Sequence, residues 1–268
     1  MGRIIKSFWK EGVRMGGKTS SRGVATAVFF LGLTVALMVN GWDRQRMHEG
    51  SPAEPDGVTM VNGDPEQGQF AGYEQSEDPL LVLVNQEVAL PEDWSFFPYL
   101  VDDEVVDRRM GEDLVQMIEA AERDQVWLWV ASGYRSEERQ QIVLEHAVLE
   151  RRNRGMGEKE AWEDALRTVA FPGHSEHHTG LAVDFNQVTD QFGETPAFRW
   201  LQEHGAEYGF IQRYPPGKES ITGMAEESWH YRYVGKEHAQ AMEKRGDCLE
   251  EYVLEVKGEN LEADIGGE

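Results

Sequence analysis

The chain has 268 residues, 40% of them apolar and 10% aromatic, which is enough for a packed core and excludes wholesale disorder. Its 49 acidic against 26 basic residues give a net charge of −23, which excludes a duplex nucleic-acid binder, because that class needs a basic footprint. A single cysteine, Cys248, excludes an internal disulfide and any CxxC zinc or redox site.

The charge is unevenly spread. Residues 1–50 hold eight of the basic residues and only three of the acids. Six basic residues, from Arg3 to Arg22, precede an uncharged run, VATAVFFLGLTVALMV, at 24–39. Taken from 23 to 42, this run would span ~30 Å as a helix at ~1.5 Å per residue, about one hydrocarbon core. It is expected to be a transmembrane signal-anchor. Residues 1–22 would then be a cytoplasmic basic segment, since positive flanks stay inside. The protein would be a single-pass protein of the cell membrane with its bulk on the extracellular side. A cleaved signal peptide is the competing reading, but no A-x-A site follows the run. Residues 43–79 are rich in Gly, Pro, Asp and Glu and are expected to form a flexible acidic linker. Residues 80–258 form the globular domain, and 259–268 a polar tail.

Within that domain, LVLVNQEVAL at 81–90 predicts a short strand or an extended arm. A helix is predicted over 112–125, where Leu114, Met117, Ile118 and Ala121 share a face. VWLWVA at 126–131 predicts a strand buried on both faces. Ser136 can cap a following helix, with Ile142, Val143, Ala147 and Leu149 facing inward. A third helix is predicted over 157–170, and a short strand over 181–185. Thr195-Pro196 opens a helix that runs to about Tyr208. WHYRYV at 229–234 alternates, with Trp229, Tyr231 and Tyr233 on one face and His230 and Arg232 on the other. Two helices, 236–245 and 248–256, close the domain, with Gly246 as the break between them. Helices around short strands without regular βαβ alternation predict an α+β fold.

Three clusters carry the chemistry: SGYRS at 132–136, PGHSEHHTGLAVD at 172–184 and ESWHYRYVG at 227–235. Histidines 174, 177 and 178 fall within five residues, and His with a carboxylate is the ligand chemistry of a divalent metal such as zinc. Thr179-Gly180 argues against one helix joining His177 to Asp184; a turn folding the LAVDF strand back would bring them together. Glu227 lies three residues before His230, a spacing that lets a carboxylate stand near a metal-bound water. In a regular strand the two would face opposite ways, so a bend near Ser228 is expected. Each residue alone has a bland reading as a solvated histidine, a turn aspartate or a structural arginine; the joint pattern makes the case.

SGYRSEERQ, PGHSEHHTGLAVDF, RYPPGKESITG and EESWHYRYVG together resemble the VanY-type D-alanyl-D-alanine carboxypeptidases, zinc peptidases of the cell wall. The resemblance runs from about Val84 to about Tyr252. It implies a small hedgehog-like, D-Ala-D-Ala-peptidase-like α+β domain, with a short antiparallel sheet flanked by helices. It implies zinc held by His177, Asp184 and His230, Glu227 as general base, and Arg135 as the stabiliser of the developing oxyanion. Ser175 and Gln140 match positions expected to line the peptide site. The chain departs from the pattern at His178, where Gln is expected, and at His174, where an aromatic residue is common. His178 is not expected as a ligand, because it cannot easily point at the same metal as its neighbour His177. The implied activity removes the C-terminal D-Ala of peptidoglycan stem peptides by attack of a zinc-bound water. The alternatives are an L,D-carboxypeptidase acting on tetrapeptide stems, a less expected dipeptidase, and a zinc-stabilised wall-binding module without turnover. Such a module has no need of Glu227 and Arg135 alongside all three ligands.

Overall fold

A computed structural model of the chain describes residues 69–70 and 73–256. The apolar run at 23–42 and the tail at 259–268 lie outside the described residues. Among the described residues no helix is long and apolar enough to cross a membrane.

An arm of alternating apolar residues opens the domain. After a single 3-10 turn at Pro79–Leu81, capped by Asp78, the chain runs extended without a strand partner. Val82 and Val84 enter one hydrophobic core, while Leu81 and Leu83 enter a second on the other side. The arm is thus pinned by side chains of both parities, which a period-two segment between two cores achieves. Phe70 and Tyr73, within the segment expected as linker, pack onto the second core.

Strands β1 (Pro98–Val101) and β2 (Glu104–Asp107) form a hairpin turned at Asp102, whose φ is 53°. Asp107 then caps helix α1 (Arg108–Arg123), accepting from the Arg109 amide. Met110, Leu114, Met117 and Ala121 of α1 are buried, a stripe at helical spacing. Strand β3 (Val130–Ser132) leads to α2 (Glu137–Asn153), which Ser136 caps through the Arg139 amide. Helix α3 (Glu158–Ala165) packs on α2 through Trp162, Ala161 and Ala165. Strand β4 (Ala182–Phe185) precedes α4 (Pro196–His204), where Thr195 caps and Pro196 starts the helix. Strand β5 (Phe210–Tyr214), α5 (Glu219–Thr222), β6 (Glu227–Tyr233), α6 (Lys236–Arg245) and α7 (249–256) complete the order, with Gly246 at φ 76° between the last two helices.

The four strands β3-β4-β6-β5 make one antiparallel sheet, so the fold is α+β. One face carries Val183, Phe185, Tyr231 and Tyr233 into the core beneath α1 and α4. A buried ionic cluster ties the other elements together. Arg213 of β5 donates to Glu176 at 2.8 Å and to both oxygens of Glu250 at 2.6 and 2.8 Å. Arg232 of β6 donates to Glu176 at 2.7 Å and to the Leu80 and Val82 carbonyls of the arm.

Two expectations are corrected. The strand predicted at 126–131 forms only from Val130, and it is not buried on both faces: Trp127 and Trp129 are 76% and 45% exposed. The reason is its place at the sheet edge, paired to β4 alone, so Val126, Leu128 and Val130 meet the core while the two tryptophans between them face outward. In α2 the buried stripe is Gln140, Leu144 and Val148, and Leu149 is exposed. Ala147 packs beside that stripe and, with Val143, borders an open cleft. The hairpin β1-β2 and strand β5 were not predicted.

Candidate active site

Gly180 makes the turn that joins two of the candidate ligands. His177 sits in a 3-10 turn, Glu176–Thr179, ended by Gly180 at φ 71°. A Cβ on Gly180 would come within 2.5 Å of the Phe96 ring and 3.0 Å of the Asp107 amide nitrogen, so the left-handed φ and the close packing both call for glycine. The chain then enters β4, and Asp184 returns beside the turn: His177 Nε2 lies 3.3 Å from Asp184 Oδ2. In the sheet Asp184 is the register partner of His230 in β6, and His230 Nδ1 lies 2.8 Å from Asp184 Oδ1.

Glu227 reaches the same side through an irregularity in β6. Gln212 pairs with Tyr231, but Tyr214 pairs with Glu227, so two steps on β5 face four on β6. The extra residues form a bulge across Ser228, Trp229 and His230, which is the bend that the Glu227–His230 spacing required. Tyr214 stacks on the His230 ring at 5.1 Å between centroids and 14° between planes.

Arg135 approaches from the β3–α2 joint. Its Nη2 donates to Ser132 Oγ at 3.0 Å and lies 3.5 Å from Asp184 Oδ2. Its Nη1 donates to Gln140 Oε1 at 2.8 Å, and Gln140 Nε2 donates to the Ala170 carbonyl at 2.6 Å. Gln140 borders the cleft and holds Arg135 through Oε1 while its Nε2 is anchored on Ala170. Ser175 is buried at the start of the His177 turn and lines the cleft. The cleft, of about 520 Å³, also admits Arg135, His177, Asp184, Glu227 and His230 and extends along the Val143–Ala147–Arg151 face of α2.

The two neighbouring histidines stand apart from this group. His178 accepts from the Gly173 amide at Nε2 and donates from Nδ1 to the Arg135 carbonyl, so both ring nitrogens are committed and it offers no lone pair to a metal. His174 bonds the Asn85 carbonyl through Nδ1.

The site is electrostatically polarised. Burial opposes ionisation of Asp184, but His177 and His230 outweigh it and hold the carboxyl well below the usual range. Burial pushes Glu227 the other way, up to about 8, with His230 pulling it down in part. Burial disfavours a charged His230, yet Asp184 and Glu176 overcome this and push it up to about 9. Burial and then Arg135 lower His177.

His177, Asp184 and His230, all buried, present donor atoms within 4.8 Å of one another. Two imidazoles and one carboxylate are the donor set of a catalytic zinc with a free position. The tautomer of His177 fits as well, since Nδ1–H donates to the Gly133 carbonyl at 2.7 Å and leaves the Nε2 lone pair facing Asp184. The residues therefore fit the metal. Sequence reading missed Ser132, Glu176 and Tyr214. All three lay inside quoted motifs, but only the folded contacts single them out.

The model of the family described as VanY: D-alanyl-D-alanine carboxypeptidase matches residues 103–236. A D-alanyl-D-alanine carboxypeptidase of Enterococcus faecalis (strain ATCC 700802 / V583) is 36% identical over 235 residues, covering 84% of this chain and 88% of that protein. A crystal structure of the vancomycin resistance D,D-pentapeptidase VanY from a VanB-type cassette, a glutamate-to-alanine variant in complex with Zn(II), is similar with a TM-score of 0.61 at 42% identity, covering 65% of this chain and 99% of that one. The LdcB LD-carboxypeptidase is similar with a TM-score of 0.55 at 33% identity, covering 69% of this chain and 92% of that one. With its metal-binding constellation assembled on this fold, the chain belongs to the VanY family of D-alanyl-D-alanine carboxypeptidases.

Proposed function

We propose that this chain is a zinc-dependent D,D-carboxypeptidase that removes the C-terminal D-Ala from peptidoglycan stem peptides. The observation that carries the reading is the convergence of the His177, Asp184 and His230 donors with Glu227 and Arg135 on one cleft. Zinc held there would supply Lewis acidity, lowering the pKa of a water and polarising the scissile carbonyl. Glu227 accepts the proton of the attacking water and returns it to the leaving amine. Its carboxyl is buried and, in the metal-free fold, burial raises it to about 8. The Arg135 guanidinium stabilises the oxyanion of the tetrahedral intermediate, a task suited to a side chain that stays charged and presents a planar fork. Ser132 and Gln140 keep that fork aimed, so little ordering is needed at the moment of reaction. Ser175 lines the peptide path.

The same reading makes residues 23–42 the membrane anchor, 1–22 its cytoplasmic flank, 43–79 the tether, 80–258 the catalytic domain and 259–268 a polar tail, with the catalytic domain outside the cell. It is supported by the uncharged run behind six basic residues.

The test incubates the full chain, purified in detergent and loaded with zinc, with two stem peptides and reads the products by mass spectrometry. Loss of one alanine from the pentapeptide ending in D-Ala-D-Ala is expected, with the tetrapeptide untouched. Trimming of the tetrapeptide would move the assignment to L,D-carboxypeptidase. No cleavage of either, with one zinc bound, would leave a wall-binding module.

A further inference from the structure

Glu176 is 2% exposed and takes no part in the proton transfers assigned above. Its Oε1 is shared by two buried arginines, Arg213 at 2.8 Å and Arg232 at 2.7 Å. Its Oε2 is buried without a hydrogen-bond partner. That oxygen faces His230 Nε2 at 3.7 Å, and this nitrogen is likewise buried and without a partner. An orphan acceptor and an orphan donor face each other less than an ångström beyond bonding distance, although buried polar groups are ordinarily satisfied.

We propose that Glu176 is the positioning residue that makes His230 a metal donor, by accepting a hydrogen bond from the N–H of its far ring nitrogen. A neutral imidazole has one lone pair and one N–H. His230 Nδ1 is the nitrogen on the Asp184 side, so it must offer the lone pair, and Nε2 must carry the proton. In a buried site that proton needs an acceptor, and Tyr214 covers the ring only face-on. Glu176 Oε2 is the acceptor within reach. The two imidazoles of the site are then backed differently: His177 by the neutral Gly133 carbonyl, His230 by a carboxylate. A charged acceptor raises the basicity of its ring more. Arg213 and Arg232 both hold Glu176 through Oε1 and leave Oε2 to His230. The inference rests on the metal-binding reading of His177, Asp184 and His230.

The experiment measures zinc affinity of the full chain by chelator competition. Glu176→Gln is expected to weaken binding by ~10–100-fold, the usual cost of losing such an outer partner. Glu250→Gln removes a carboxylate from the same ionic cluster without facing His230, and it is expected to keep the wild-type affinity. NMR of histidine-labelled, zinc-loaded protein is expected to show a slowly exchanging, downfield His230 Nε2 proton that Glu176→Gln moves upfield and Glu250→Gln does not. Should Glu176→Gln not fold, Glu176→Asp keeps the charge for the arginines but shortens the reach to His230, and a loss of affinity is again expected. Wild-type affinity in a folded Glu176 variant, an equal loss in Glu250→Gln, or a His230 ring protonated at Nδ1 in the zinc form would overturn the proposal. Absence of zinc binding by the wild type would instead overturn the metal reading.

Discussion

Glu227 and Arg135 are the two side chains on which turnover depends in the proposed reaction. Glu227→Ala is expected to retain one zinc while losing ~10²–10⁴ in kcat, the range general-base catalysis supplies; steady-state kinetics beside metal analysis reads both. Arg135→Ala removes a charged donor and is expected to lose ~10²–10³ with the metal still bound. The same burial that tunes Glu227 costs stability. Its carboxyl is raised to about 8, above an unfolded glutamate, so the folded form is favoured while it stays protonated, and that advantage fades as pH rises toward 8. Metal-free Glu227→Gln should therefore melt close to the wild type near about pH 5 and above it near pH 8. A gap that does not grow with pH would mean that the carboxyl is ionised in the metal-free fold.

Elements rather than single residues bring the donors together. The β6 bulge turns Glu227 and His230 to one side, and the β4–β6 register sets His230 beside Asp184. The His177 turn depends on Gly180, whose φ of 71° and contact with Phe96 leave no room for a side chain. Gly180→Ala is expected to cost more than ~1 kcal/mol in urea unfolding, the least that a left-handed non-glycine residue demands. It should also weaken zinc binding, because the turn can relieve the clash only by moving His177 or β4. Equal zinc affinity in that variant would show that the turn tolerates displacement. Much at this scale is legible in sequence: Ser136 and Thr195 cap the helices they were expected to cap, and Gly246 breaks α6 from α7. The β1-β2 hairpin is not legible, because Pro98 interrupts its apolar pattern and its strands pair only with each other.

At the scale of the whole molecule, the chain combines an acidic body with a basic N-terminal segment, and its net charge of −23 sets it against anionic polymers. Tethering would offset that repulsion by raising the local concentration near the wall. The full chain expressed in bacterial cells is expected to sediment with membranes after alkaline washing, and protease added to intact spheroplasts should remove the catalytic domain. A protein found free in the medium would point to cleavage after the apolar run.

The sequence by itself determined which residue types carry the chemistry and their order along the chain, because motif spacing and helix caps are local properties that survive without a fold. It singled out His177, Asp184 and His230, which the fold brings together as possible metal donors, and Glu227 and Arg135 as candidates beside them, and it anticipated the bend at Ser228. Only the tertiary structure decided which ring nitrogen each histidine turns inward, that Gln140 serves Arg135, and that Glu176 stands behind His230. It also decided that β3 is an edge strand and that α2 turns Val143 and Ala147 to an open cleft. These outcomes depend on partners distant in sequence, 56 residues apart for Glu176 and Arg232 and 152 for Arg232 and Leu80, and local periodicity holds no record of which distant side chain will complete a buried hydrogen bond.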